Sequence, residues 1–156
     1  MFEASREEFE DFVGEGVEAI PEKFRSLIKN VAFLVNEEPS AEQRKQNHVG
    51  DDETLFGLYE GVPRPARGEE YGGLVLPDRI TIFKKPIEEE ATLLTDEKFS
   101  KIGRPSDFAK REGVFRKYVQ NIVSDTVWHE VAHHFGLDES AVERREEERE
   151  RGNRGL

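Results

Sequence analysis

The sequence contains no cysteine. This absence excludes disulfide bonds, thiolate nucleophiles, iron–sulfur clusters and every zinc site that uses sulfur ligands. Any bound metal ion must therefore have imidazole, carboxylate, carbonyl or water ligands. Long apolar runs are also missing, because the longest clear one, residues 31–35, is too short to cross a membrane. Since no basic and apolar leader is visible at residues 1–5, we expect a cytoplasmic protein.

Positive charge is scarce as well. The chain has 23 Lys and Arg residues against 34 Asp and Glu residues, which gives a formal net charge of −11. Because phosphate binding needs a basic surface, we expect neither nucleic acid nor a membrane as a partner. A length of 156 residues favours one domain. We predict a monomer with a single domain over residues 1–142 and a charged tail over 143–156 that is flexible or forms a solvated helix.

The spacing of apolar residues predicts a mixture of helices and strands. Apolar side chains recur every three or four residues from residue 114 onward, which predicts a long helix that Gly136 ends. Ser5 and Glu8 have the spacing of a capping box, which predicts an earlier helix start. The other predictions are strands over residues 31–35 and 78–83, a strand or tight turn over 55–59, a loop over 36–52, a short helix over 87–94, an insertion or lid over 95–112, and a last helix from near residue 140.

A cluster of histidines on the predicted long helix carries the chemistry. His129 and His133 are four residues apart, so their rings stand one turn apart on the same helix face. This separation suits two imidazole nitrogens that bind one tetrahedral zinc ion. Glu130 points about 100° away around the helix, where its carboxylate can take a proton from a metal-bound water instead of binding the metal. His134 lies about 140° from His129, which favours a packing or supporting role.

Two histidines leave a catalytic zinc site incomplete, because such sites usually have three protein ligands and one open position. Gly136 ends the helix and turns the chain sharply back, so that a side chain two or three residues later can reach the metal. Asp138 and Glu139 occupy those positions. Both acids also have an ordinary structural explanation, since carboxylates favour the first turn of a following helix.

The segment His129-Glu130-x-x-His133-x-x-Gly136-x-x-Glu139 resembles the extended motif of the minimal zincins, a family of small zincin-like metallopeptidase-type proteins. Their motif ends in an acidic or small polar residue where larger relatives have a third histidine. The similarity covers most of residues 10–142, with similar stretches at 20–24, 31–35, 58–63 and 76–83.

The resemblance implies an α+β fold with a small zincin-like core, in which a short mixed sheet of about three to four strands packs on helices that include the motif helix. It also implies a zinc-dependent metallopeptidase that acts on peptide or protein substrates. By the same resemblance, His129, His133 and Glu139 are the zinc ligands, and Glu130 is the general base that activates a zinc-bound water. An Asp is common at the third position in these proteins. Either the longer Glu139 side chain reaches the ion, or a shift of the turn brings Asp138 to it.

Two other functions remain open on the sequence. One is a zinc-binding protein of zincin fold that lacks peptidase activity and acts as an interaction module. The other is an interaction module whose histidines are structural and bind no metal. Residues 80–83 also allow two interpretations. They form either an edge strand, which could pair with an extended peptide, or an interior strand of the sheet.

Overall fold

The computed structural model describes residues 2–47, 55–61, 77–101 and 108–136. These ranges contain five helices and one mixed three-stranded sheet, so the fold is α+β, as predicted. In chain order the elements are α1 (Arg6–Glu18), α2 (Glu22–Arg25), β1 (Val31–Asn36), α3 (Ala41–Gln46), β2 (Gly57–Glu60), β3 (Asp78–Phe83), α4 (Lys84–Ser100) and α5 (Phe108–His134). No helix in these ranges is both long and apolar enough to span a membrane. The predicted domain boundary at residue 142, the tail and the last helix lie outside the described residues.

The three strands are arranged in the order β1-β3-β2. The central strand β3 pairs in parallel with β1 and antiparallel with β2, where Gly57 lies opposite Ile82. The interpretation of residues 80–83 as part of an interior strand is therefore confirmed. All four of these residues are buried, as expected for a strand that is covered on both faces.

The long helix α5 forms the centre of the core. It packs against α1, α4, β2 and β3. Its inward residues recur every four positions and are fully buried, as the apolar spacing predicts: Val119, Val123, Val127 and Val131. Gly136 follows the helix with a φ of 81°, and its amide donates to the carbonyl of His133 at 2.8 Å. The predicted glycine end of this helix is therefore confirmed.

Helix α1 begins at a capping box, as predicted. The hydroxyl of Ser5 accepts a hydrogen bond from the amide of Glu8 at 3.1 Å, and the carboxylate of Glu8 accepts one from the amide of Ser5 at 3.3 Å. Arg116 of α5 forms an ion pair with Glu8, which ties the start of α1 to the long helix. The backbone hydrogen bond from Ser5, and then the charge of Arg116, hold the pKa of Glu8 below its ordinary value. Phe9 and Val13 provide the buried face of α1.

Helix α4 follows β3 directly and is longer than the short helix predicted over residues 87–94. Its buried residues recur every four positions and continue to Thr95 and Phe99, so the whole helix has a face in the core. The insertion or lid predicted over residues 95–112 is wrong where the structure describes it, because its first part belongs to α4 and its last part to α5.

A buried ion pair lies in the first turns of α4. The ammonium group of Lys84 pairs with the carboxylate of Glu88, and both side chains are almost inaccessible to solvent. The other carboxylate oxygen of Glu88 accepts a hydrogen bond from the amide of Ala4 at 2.9 Å. Both buried charges therefore have partners, and the segment before α1 is fixed against α4.

Helix α3 lies in the stretch predicted as a loop, residues 36–52. It begins at a second capping box, formed by Ser40 and Gln43. None of its residues is buried. Because the helix has no buried face, it has no apolar stripe that periodicity could have revealed.

Candidate metal centre

The last turns of α5 carry the predicted zinc-binding pair. The ring centroids of His129 and His133 lie 5.1 Å apart, and the ring planes make an angle of 68°. Both side chains are half-buried. The two imidazoles thus share one helix face, as the four-residue spacing predicts. Their separation leaves room for one ion that both rings can contact, so this part of the donor set fits zinc.

Glu130 lies where α5 crosses the sheet. Its side chain is 8% exposed. A Cβ atom placed on Gly57 of β2 would lie 3.3 Å from the Cγ atom of Glu130 and 2.6 Å from the Cγ2 atom of Thr126. Only glycine allows the strand to approach the helix this closely. The backbone of β2 therefore forms the surface on which Glu130 is held.

A cavity of about 390 Å³ opens between α4, α5 and the residues that lead into β2. From α5, the residues that line it are Ile122, Asp125, Thr126, His129 and Glu130. These positions follow the helical repeat, so they form one stripe along the helix. Because His129 and Glu130 belong to that stripe, the cavity lies directly beside the predicted metal and general-base positions.

A buried polar network fixes the end of the motif helix to the sheet. The Nδ1 atom of His134 lies 3.1 Å from the Oδ2 atom of Asp78, the first residue of β3. The hydroxyl of Tyr59 in β2 donates to the same oxygen at 2.5 Å. His134 is fully buried, which agrees with the predicted packing or supporting role. A Cβ atom on Gly61 would overlap the carboxyl group of Asp78, so the end of β2 also closes tightly over this network.

The structure brings three of the four predicted site residues together on α5, namely His129, Glu130 and His133. The fourth, Glu139, and its alternative Asp138 lie outside the described residues. Within the part of the chain that the structure describes, no three His, Asp or Glu side chains are grouped so that they could hold a metal ion. The assignment of the third ligand therefore stays a prediction.

Sequence reasoning missed two contributors to this region. Gly57 had a visible signal, since a lone glycine inside a predicted strand often marks a close backbone approach. Asp78 had none, because it reads as the polar residue that starts a strand. Its contact with His134 joins residues 56 positions apart in the chain.

The sequence model of the zincin-like metallopeptidase family matches residues 28–102 and 112–149. These ranges make up most of the chain and include the histidine pair, Glu130 and Glu139. The chain therefore belongs to the zincin-like metallopeptidase family, and the predicted family resemblance is confirmed. The α+β fold, with its small mixed sheet packed on the motif helix, is a small zincin-like core. No curated protein matches the chain in a sequence comparison.

Proposed function

We propose that this protein is a zinc-dependent metallopeptidase that hydrolyses peptide bonds. The observation that carries the proposal is the position of His129 and Glu130 on the wall of one cavity, with the ring of His133 5.1 Å from that of His129. The proposed general base and one proposed nitrogen ligand thus line the same cavity, and the second proposed ligand is next to the first. Membership of a metallopeptidase family supports the same assignment.

The proposed zinc ligands are His129, His133 and Glu139. Two neutral imidazoles and one carboxylate are a ligand set that catalytic zinc uses, and a chain without cysteine offers no sulfur alternative. When bound, zinc supplies a Lewis acid that polarises a carbonyl and lowers the pKa of water to about 7. The helix holds the two imidazoles one turn apart, so this part of the site is preorganised before the ion binds.

Glu130 has the role of general base in this proposal. Its carboxylate accepts a proton from the water that attacks the peptide carbonyl, and it then donates a proton to the leaving amine. The close packing of Gly57 and Thr126 restricts the positions that this side chain can adopt. Such restriction keeps the carboxylate within reach of the cavity throughout the reaction.

The second candidate is a zinc-binding interaction module of the same fold without peptidase activity. The cavity of about 390 Å³ favours this candidate, because it lies at the small end of the range of ligand pockets. Such a cavity encloses too little surface to bind a long substrate segment.

The test combines metal analysis with a peptide assay. The zinc-loaded protein should contain one zinc ion per chain and should cleave members of a broad peptide library. Glu130→Gln should retain zinc and lose cleavage, whereas His129→Ala should lose zinc. Glu97→Gln, which changes an exposed carboxylate of α4, is the control and should behave as the unchanged protein.

The outcomes separate the candidates. If the protein binds zinc and cleaves no peptide, the interaction module replaces the peptidase. If it binds no zinc at all, both zinc functions are wrong and the histidines are structural.

A further inference from the structure

The cavity beside His129 and Glu130 has two kinds of wall. Apolar side chains line it from three segments of the chain: Leu55, Phe56, Leu94 and Ile122. Acidic side chains line it from both helices, with Glu90 on α4 and Asp125 on α5. Among the described residues that line it, none is a lysine or an arginine. The described part of the wall therefore combines an apolar surface with acidic side chains.

Glu90 differs from the other acids of α4 because it is partly buried and has no partner among the described residues. Glu88 is paired with Lys84, and Asp96 is paired with Arg111. Glu90 is half-buried at the cavity, and it forms no ion pair or hydrogen bond with any residue that the structure describes. A partly buried carboxylate that faces a cavity favours a cationic group from outside the chain.

The chemistry of the walls narrows the occupant. A lysine or arginine side chain has an apolar stem and a charged end, so the stem can lie against Leu94 and Ile122 while the charge meets Glu90. A small divalent ion would gain nothing from the apolar surface. The volume of about 390 Å³ is that of a pocket for a compact ligand group rather than for a long chain segment.

We propose that this cavity is the subsite for a lysine or arginine side chain of a peptide, and that Glu90 selects for it. This inference rests on the proposed function, because the peptide whose side chain enters the cavity is the one that is cleaved. Because His129 and Glu130 line the same cavity, the basic residue lies next to the scissile bond. The net negative charge of the whole chain also attracts basic peptides.

The first experiment measures cleavage preference. The zinc-loaded protein is incubated with an N-acetylated peptide library, and the cleavage positions are read by mass spectrometry. Lysine and arginine should be enriched at one position beside the cleaved bond. In a matched peptide pair, lysine should give a kcat/KM about tenfold above that of norleucine, which has the same stem without the charge.

Variants of α4 identify the selecting residue. Glu90→Gln should bring the lysine peptide down to the rate of the norleucine peptide, and Glu90→Lys should favour glutamate at that position. Glu89→Gln is the matched control, because Glu89 is the neighbouring carboxylate, is exposed and does not line the cavity. It should keep the preference for lysine. Equal preference in Glu90→Gln and the unchanged protein would overturn the assignment.

A binding measurement separates this inference from the proposed function. Butylguanidinium, titrated into the zinc-loaded protein, should shift the methyl NMR signals of Leu94 and Ile122, and Glu90→Gln should abolish the effect. Butanol is the uncharged control and should cause no comparable shift. If the probe binds but no peptide is cleaved, the peptidase function fails and the subsite for a basic side chain stands.

Two further outcomes overturn the subsite. Peptides cleaved without any preference for lysine or arginine would leave the peptidase function intact and remove this inference. The same library without N-acetylation is the comparison, and a preference that appears only there would show that the cavity binds the α-amino group instead of a side chain.

Discussion

The imidazole of His134 and the carboxylate of Asp78 meet in the interior, with Nδ1 and Oδ2 3.1 Å apart. His134 directly follows the proposed ligand His133, and Asp78 is the first residue of the central strand. Since Tyr59 donates to the same carboxylate, one acid joins the end of the motif helix to two strands. The last turn of α5 is thus fixed relative to the sheet.

Removal of Asp78 should therefore be costly. Asp78→Ala leaves the buried imidazole of His134 and the half-buried hydroxyl of Tyr59 without this acceptor, and we expect a loss of about 2–4 kcal/mol in the free energy of unfolding. Tyr59→Phe removes one hydrogen bond from the same network and should cost about 1 kcal/mol. Urea titration followed by circular dichroism measures both. If the two variants lose the same stability, the contact with His134 contributes nothing.

Gly57 should tolerate no side chain. A Cβ atom there would lie 2.6 Å from Thr126 Cγ2, and Thr126 cannot turn away easily because its hydroxyl is bonded to the carbonyl of Ile122 at 2.7 Å. Gly57→Ala must push β2 away from α5, and we expect a loss of about 1–3 kcal/mol in the free energy of unfolding. Because Glu130 lies under the same strand, peptide cleavage should fall more than stability alone explains.

Gly14→Ala is the matched control for this substitution. Gly14 lies inside α1, is exposed, and has no atom within 4 Å of a built Cβ. Alanine restricts the unfolded chain and favours helix, so the same chemical change should raise the free energy of unfolding by about 0.5–1 kcal/mol. Thermal unfolding of the two variants should therefore shift in opposite directions. A Gly57→Ala protein as stable as the unchanged one would mean that the strand and helix can separate freely.

The features that sequence predicted well are those set by neighbours in the chain. The strand over residues 78–83 was predicted with the bounds that the structure has. The imidazoles of His129 and His133 share a face because helix geometry alone decides it. Likewise, the left-handed Gly136 ends α5 because few other residues adopt that conformation easily.

The features that sequence missed depend on burial or on distant contacts. Helix α3 has no buried residue, so the capping box that begins at Ser40 is its only local signal in the sequence. The end of α4 was missed because its buried stripe includes Thr95, a residue that an apolar pattern does not count. The cavity and the partner of His134 arise from segments far apart in the chain, and no local pattern encodes them.

Two neighbouring acids are the candidates for the third zinc ligand. Substituting each of them separately can decide between them. We expect Glu139→Ala to weaken zinc binding by more than the roughly 10–100-fold that loss of an outer-shell partner costs, because a direct ligand is removed. Asp138→Ala removes a carboxylate of the same charge one residue earlier and should change the affinity only slightly. Competition with a chromophoric chelator at fixed pH measures both affinities.

Thermal unfolding gives an independent measure of the same ligand. A ligand that binds only the folded chain stabilises it by about 2.7 kcal/mol at a free concentration one hundred times its Kd. Zinc should therefore raise the unfolding temperature of the unchanged protein and of Asp138→Ala, but not that of Glu139→Ala at the same zinc concentration. The reverse pattern would make Asp138 the ligand, through a shift of the turn after Gly136. Equal stabilisation of both variants would mean that neither acid completes the site, and that the two histidines recruit their third ligand from another part of the chain.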